Sequence, residues 1–148
     1  MEAANRGASE ARGQSIGLGI SLFAEQHPNQ YITRELSFEF HYFFMRKFWF
    51  SYLAKAMIVM PGGFGTLDEF MEVVTLVQTK KIHKQLPIVF FGKDFWDKVV
   101  NFQPMIDYGT ISPEDVKLFH YTDSVDDAFD YLTHQLSRYA LQHPGGNL

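Results

Sequence analysis

The sequence predicts an α/β protein of the Rossmann-like, doubly wound class, with a mostly parallel sheet covered by helices on both faces. Short apolar runs alternate with segments of helical periodicity, as at 56–60, 66–80 and 87–92. The connections between them are short, and this alternation is typical of a parallel sheet whose helices return the chain. A glycine-rich turn at 61–66 joins an apolar run to a helical segment, which is where open α/β sheets bind ligands.

The first half of the chain is predicted to hold two helices and three strands. Gly13 suits the left-handed residue that ends many helices, and Pro61 stops a strand because it lacks a backbone N–H. Gly17 and Gly19 are interpreted as close strand packing, since Leu22 stands where a dinucleotide fingerprint needs a third glycine. The predicted elements are a helix at 2–12, a buried strand at 15–20, a strand at 36–40, a helix at 41–55 and a buried strand at 56–60.

The second half is predicted from capping signals as well as periodicity. Thr66 and Glu69 have the spacing of a capping box, Ser112 precedes a proline suited to a first helical position, and Ser124 can cap a final helix. The predicted elements are a helix at 66–80, a buried strand at 87–92, a helix at 95–106, a short helix after 112, a strand at 118–122, a helix at 124–138 and a frayed tail at 143–148.

Composition and charge exclude several function classes. The chain has 148 residues, 46% of them hydrophobic and 20% charged, which fits a single domain over 1–148. Its formal charge of −4 disfavours a nucleic-acid binder, because phosphate backbones attract basic surfaces. The absence of cysteine favours a reducing compartment, and no apolar run approaches the ~20 residues of a membrane span. We therefore expect a cytoplasmic protein without nucleic-acid or membrane partners.

The glycine-rich turn has the properties of a phosphate site. Glycines allow backbone N–H groups to approach a ligand, and a helix that begins there adds donors and a partial positive charge. The spacing matches neither the Walker loop nor the GxGxxG fingerprint, which disfavours ATP hydrolysis and NAD chemistry. The alternative is a plain turn that uses glycines for positive φ, with Thr66 as the helix cap and Glu69 completing the box.

The turn and its neighbours resemble the Lonely Guy (LOG) family, whose older description is lysine decarboxylase. PGGFGTLDE at 61–69 and the Arg46-Lys47 pair are similar to the PGGxGTxxE and RK signature of that family. Further similarity to its longer bacterial-type branch runs through MEAANRGA, SIGLGI, EQHPN, FHYFFMRKFWF, TLVQT, DFWD and GTISPED. The resemblance implies cleavage of the N-glycosidic bond of a purine nucleoside 5′-monophosphate, AMP or its prenylated cytokinin form, to free base and ribose 5-phosphate.

The resemblance also implies roles for particular residues. Arg46 and Glu69 match the catalytic pair, and a carboxylate suits this reaction because glycosidic cleavage passes through a cationic sugar. Lys47 is expected to be structural or a helper, and Glu72 lies one turn after Glu69 on the same helix face. No lysine is marked as a pyridoxal anchor, so decarboxylation is not expected. The residues that match the phosphate cradle are Gly62, Gly63, Gly65 and Thr66.

The chain departs from the family pattern at its start. Met1 stands where the family has an internal methionine, and the strand and GGGPG turn expected before it are absent. The resemblance therefore predicts that N-terminal strands are missing. Three functions stay open: the phosphoribohydrolase, a non-catalytic carrier of a nucleotide or of molybdenum cofactor, and an inactive truncated remnant.

Partners and cofactors can be anticipated from the remaining residues. The segment 41–55 is aromatic on all sides of its predicted helix, and a helix of this kind needs cover on every side. We therefore expect a homodimer through this helix, as the resemblance also implies. The six histidines lack close ligand spacing, and no metal or cofactor is predicted. The carboxylates at 123, 126, 127 and 130 are interpreted as a solvated face.

Overall fold

The computed structural model describes residues 2–21 and 29–139, and it divides into two compact units, 1–51 and 52–148. Both units contain parallel strands and helices, so the chain has the α/β, Rossmann-like architecture that the sequence predicts. The single domain over 1–148 stays a prediction. The predicted frayed tail at 143–148 lies outside the described residues.

The first unit contains a two-stranded parallel sheet. Helix α1 (Glu2–Glu10) precedes strand β1 (Gly17–Ile20), which pairs in parallel with β2 (Ser37–Phe40). Helix α2 (Phe43–Leu53) follows and ends just beyond the unit. The prediction of a buried first strand is wrong, because β1 is only half-buried and its Gly19 is exposed.

The glycines of the first unit behave differently from one another. A Cβ added at Gly17 would lie 2.6 Å from the Cδ1 atom of Ile32, so the predicted close packing is confirmed there. At Gly19 the nearest atom is 3.7 Å away, which is ordinary contact, so that prediction is wrong for Gly19. Gly13 was expected in the left-handed region, but the residue with positive φ after α1 is Arg12, at 56°.

A buried polar network ties α1 to the strand region. The Asn5 amide donates to the Ser15 hydroxyl, and the Asn29 amide donates to the Asn5 carbonyl oxygen at 2.8 Å. The backbone N–H of Ser15 donates to the Thr33 hydroxyl at 3.0 Å. Because Asn5 and Ser15 are both buried, these bonds satisfy groups that would otherwise destabilise the fold.

The second unit contains a three-stranded parallel sheet in the order β3-β4-β5. Helices connect each strand to the next one along the chain, as in doubly wound folds. The elements are β3 (Met57–Val59), α3 (Phe64–Gln78), β4 (Ile88–Phe91), α4 (Lys93–Val99), α5 (Gln103–Asp107), a 3-10 turn (Asp115–Lys117), β5 (Phe119–Thr122) and α6 (Val125–Tyr139).

Aromatic side chains form the core on one face of this sheet. Phe90 of β4 is fully buried, with its ring centroid 4.6 Å from that of Phe70 on α3 and 4.5 Å from that of Trp96 on α4. The Trp96 indole N–H donates to the carbonyl of Phe91 at 3.0 Å, which satisfies its polar atom. The opposite face is covered by α6, whose Tyr131 ring stacks on His120 of β5.

Three predicted elements of this unit need correction. The helix expected at 66–80 begins two residues earlier, at Phe64, with Gly63 as its N-cap. The helix expected at 95–106 is two helices, because Val100 between them is extended. Ser112 and its proline lie in a turn ahead of the 3-10 segment instead of beginning a helix. The predicted Ser124 cap is confirmed, since its hydroxyl accepts the Asp127 N–H at 3.2 Å.

The predicted buried strands of this unit are confirmed for β4, whose residues are buried except for the half-buried Phe91. In β3 the prediction is wrong at Ile58, whose side chain is 51% exposed between two buried neighbours.

Candidate functional site

The glycine loop, residues 61–66, connects the end of β3 to the first turn of α3. It is held against the neighbouring strand by Pro61, which packs beside Gly92 at the end of β4. A Cβ at Gly92 would lie 2.8 Å from Pro61 Cγ, and the φ of Gly92 is 91°, so both space and backbone conformation require glycine there. The loop therefore lies at the carboxyl ends of the parallel strands, where this class of fold binds ligands.

Within the loop, Thr66 lies over Gly62. A Cβ at Gly62 would lie 2.9 Å from Thr66 Cβ and closer still to its hydroxyl oxygen, so the threonine side chain occupies the space that a larger residue would need. Nothing lies within 4 Å of a Cβ added at Gly63 or at Gly65. The fold thus accounts for the first glycine of the loop, whereas packing places no demand on the other two.

The alternative interpretation of the loop as a plain turn fails on two observations. Within the described ranges, the glycines with positive φ are Gly92 and Gly109, so the loop glycines are not needed for that conformation. Thr66 lies in the third helical position, after the Gly63 N-cap, and so it does not begin a capping box with Glu69. The first intrahelical bond runs from the Leu67 N–H to the Gly63 carbonyl at 3.1 Å. The N–H groups before Leu67 therefore lie at the exposed start of the helix.

Two carboxylates follow the loop on the same helix. Glu69 and Glu72 lie three residues apart on α3, and both are half-buried. Residues at this spacing share a helix face, so the two side chains lie one above the other next to the loop. The second unit therefore brings together the predicted phosphate cradle and both predicted acidic residues.

The two basic residues of the predicted site belong to the other unit. Arg46 and Lys47 lie on α2 and are half-buried. The guanidinium carbon of Arg46 lies 5.8 Å from the centroid of the Phe43 ring, within the range of a cation–π contact. The two members of the predicted catalytic pair, Arg46 and Glu69, are thus described in separate units, and their pairing stays a prediction.

A family model described as possible lysine decarboxylase matches residues 1–132 of the chain. The chain belongs to this Lonely Guy-like family. The match spans the glycine loop, α2 and α3, and it supports the resemblance drawn from the PGGFGTLDE and Arg46-Lys47 signature. A search of curated proteins returned no match.

One residue within the glycine loop was not anticipated from the sequence. Phe64, the first helical residue of α3, is 94% exposed. A large aromatic side chain between two glycines of a ligand loop is the signal that could have identified it. Its ring stands beside the predicted phosphate cradle and is available to a ligand or a partner.

A second unanticipated group lies at the carboxyl ends of β4 and β5. The Lys93 N–H donates to the Asp123 carboxylate at 2.6 Å, and the Lys93 ammonium lies 5.8 Å from the centroid of the Tyr121 ring. Burial, and then the negative charge of Asp97, raises the pKa of Tyr121 to about 12. The interpretation of Asp123 as part of a solvated face is confirmed, since it is exposed, and its carboxylate also accepts the N–H at the start of α4.

The helices and the polar side chains were compared with what a membrane span and a metal site require. None of the helices in the described ranges combines the length and hydropathy that crossing a bilayer requires. Over those same ranges, histidine and carboxylate side chains form no group of three that could hold a metal ion.

Proposed function

We propose that this chain hydrolyses the N-glycosidic bond of a purine nucleoside 5′-monophosphate, releasing the free base and ribose 5-phosphate. The observation that carries the proposal is the glycine loop at the start of α3, with two glycines that packing does not require and two carboxylates on the following turns. Membership of a LOG-like family supports the same reaction. AMP and its prenylated form are the substrates we would test.

The 5′-phosphate is proposed to bind at the loop. The backbone N–H groups of Phe64, Gly65 and Thr66 precede the first intrahelical bond, so they are the donors a helix start offers to an anion. The open space beside Gly63 and Gly65 is where phosphate oxygens would approach the backbone. Thr66, whose hydroxyl lies over Gly62, is positioned to add a side-chain donor at the same end of the helix.

Glu69 is proposed to act on the ribose. As the bond to the base lengthens, positive charge develops on the sugar ring, and a nearby carboxylate stabilises it and orients the attacking water. Glu72, one turn further along α3, is proposed to bind sugar hydroxyls. Arg46 is proposed to hold a phosphate oxygen or the departing base through its planar guanidinium, with Lys47 as a helper.

The test is turnover of AMP and isopentenyladenosine monophosphate by the purified chain, with free base followed by chromatography. Glu69→Gln is expected to abolish release of base while leaving nucleotide binding measurable by calorimetry. Asp68→Asn, on the same helix and exposed, is the matched control and should retain wild-type turnover. Base release that survives in Glu69→Gln would remove the proposed role of this carboxylate.

Binding without cleavage in the wild-type chain would favour a different function. In that case the loop would serve a nucleotide or cofactor carrier, and the carboxylates of α3 would have no chemical role. Failure to bind AMP at all would count against the loop as a phosphate site.

We also propose that the chain is a cytoplasmic homodimer formed through α2. The aromatic and aliphatic side chains on this helix are unusually exposed for their size, at 64% for Phe44, 55% for Phe43 and 56% for Leu53. Large apolar side chains with this much exposure are typical of an interface. Light scattering at micromolar concentration should give the mass of two chains, and a clean monomer would refute the proposal.

A further inference from the structure

A cleft of about 470 Å³ lies in the second unit, at the amino ends of β4 and β5. Its walls come from the end of α3, the segment before β4, the segment before β5 and one side of α6. The glycine loop lies at the start of α3, and this helix has 15 residues, so the loop and the cleft are about 22 Å apart along its axis. The cleft is therefore separate from the site proposed for hydrolysis.

The cleft is positively charged although the protein as a whole is acidic. Lys80, Lys84 and Lys117 line it together with His83, whereas the chain carries a net charge of −4. Of the described residues that form its walls, none bears a carboxylate. Three ammonium groups on the walls of one concavity create a local potential that attracts anions.

The last carbonyls of α3 do not need these lysine side chains as hydrogen-bond partners. The last carbonyls of α3 already accept backbone N–H groups, with Lys81 donating to Leu76 at 3.0 Å and Lys80 donating to Val77 at 3.1 Å. Lys80 itself has a φ of 54°, in the left-handed region where glycine or asparagine is preferred after a helix. A lysine at this position therefore strains the backbone, which favours a role for its side chain.

Lys84 is the deepest of the three charges. Its ammonium donates to the carbonyls of Tyr52 at 2.8 Å and Ala54 at 2.9 Å, which fixes it at the end of α2. Burial, and then the positive charge of Lys55, lowers the pKa of Lys84. An anion in the cleft would favour the charged form of this group and oppose both effects.

The remaining walls of the cleft are suited to an organic group. Leu118 and Tyr131 are half-buried and give the cleft a partly apolar wall, and Tyr131 adds an aromatic ring with a hydroxyl, whereas Ile82, Leu86 and Pro87 are themselves buried. A volume of about 470 Å³ lies within the usual range of small-molecule sites and exceeds what a bare inorganic anion would fill. The occupant must then combine a strongly negative group with an apolar or aromatic body.

We propose that this cleft is a second ligand site, which binds a small organic phosphate such as a nucleoside di- or monophosphate. The phosphate lies among Lys80, Lys84 and Lys117, and the organic body lies against Leu118 and Tyr131. This inference does not depend on the proposed hydrolysis, because no residue of the cleft belongs to the glycine loop or to the carboxylates of α3.

The test uses amide chemical shifts of the isotope-labelled full chain during titration with ADP, inorganic phosphate and adenosine. ADP is expected to shift amides at 80–86 and 117–118 in a saturable manner. The double variant Lys80→Asn, Lys117→Gln should raise the Kd for ADP at this site at least tenfold. Lys98→Gln removes an exposed lysine of α4 outside the cleft and should leave the Kd unchanged.

Lys80→Asn is chosen because asparagine tolerates the left-handed backbone, so this change should not lower the melting temperature. Lost binding in a chain that melts like the wild type therefore cannot be assigned to misfolding. Adenosine, without phosphate, should produce no shift at the cleft.

Two results would overturn the proposal. The first is the absence of ADP-dependent shifts at 80–86 and 117–118, or shifts that the double variant leaves unaffected. The second is inorganic phosphate binding there as tightly as ADP, which would exclude a role for the organic body. Shifts at 62–66 report separately on the glycine loop, so failure at one site is distinguishable from failure at the other.

Discussion

Replacing Gly65 with alanine tests whether this glycine is required for folding or for binding a ligand. Gly65 lies in the second position of α3, in helical backbone, and a Cβ there would have no atom within 4 Å. Alanine forms helix more readily than glycine, by up to about 1 kcal/mol. The free energy of unfolding should therefore stay the same or rise by up to that amount, which corresponds to an increase of about 2–4 °C in Tm.

Activity should change in the opposite direction. A methyl group at Gly65 occupies the space from which a phosphate oxygen would approach the backbone N–H groups to hydrogen-bond distance, about 2.9 Å. We expect kcat/KM for AMP to fall at least tenfold, equivalent to about 1.4 kcal/mol of lost transition-state binding. The assay pairs thermal melting with steady-state release of free base. A variant that is as active as the wild type would refute the assignment of Gly65 to the phosphate cradle.

Gly62 provides the matched contrast. A Cβ at this position would lie 2.9 Å from Thr66 Cβ, and overpacking of this kind costs about 1–3 kcal/mol. Gly62→Ala should therefore lower the melting temperature whether or not the loop binds phosphate. Adding Thr66→Ala removes the nearest atom and should recover part of the stability, which a double-mutant cycle would measure as coupling of at least about 0.5 kcal/mol. Strictly additive effects would show that the two side chains do not compete for this space.

Three further predictions follow from the packing and charges of the second unit. Gly92→Ala should destabilise by about 2–4 kcal/mol, because φ is 91° and the new Cβ would meet Pro61; an unchanged denaturant midpoint would contradict this. The pKa of Tyr121 is raised to about 12, so the contribution of this residue to stability is fully present below pH 10 and is lost as the pH rises from 10 towards 12. Tyr121→Phe should remove this loss from alkaline melting curves. The hydrogen bond from His120 lowers the pKa of Asp127. The contribution of the Asp127 carboxylate to stability is therefore present above its unfolded pKa of 3.8 and is lost as the pH falls below that value. Acid unfolding of Asp127→Asn should lack that component, and an identical acid profile would contradict the reasoning.

Much of the second unit could be predicted from sequence because its signals are local. The apolar run at 87–92 contains the whole of β4, and the Ser124 hydroxyl caps α6 as its position indicates. The interruption of the helix expected at 95–106 could also have been predicted from the sequence. Pro104 cannot lie in a helix interior without removing a hydrogen bond, and the chain becomes extended at Val100 so that a new helix can begin at Gln103.

The start of α3 could not be predicted from capping rules. The spacing of Thr66 and Glu69 indicated a capping box, but the helix begins at Phe64 and includes Gly65. Helix propensity disfavours glycine here, so the early start must come from tertiary contacts: Thr66 packs over Gly62, and Pro61 packs against Gly92 on the next strand. Those contacts join residues up to 31 positions apart, so a local sequence pattern such as a capping box cannot predict them.

The two proposed anion sites differ in how well they can be predicted from sequence. The reason is that they lie at opposite ends of α3, which present different backbone groups. At the start of α3 the backbone itself supplies N–H donors, so a phosphate site there needs glycines in a contiguous segment, which is a readable motif. At the other end the helix presents carbonyl oxygens, which repel an anion, so a site there must be built from side-chain charges. Those charges come from Lys80, Lys84 and Lys117, which the fold alone brings together. Substitutions should follow the same division: added methyl groups should impair the first site, and neutralised lysines the second.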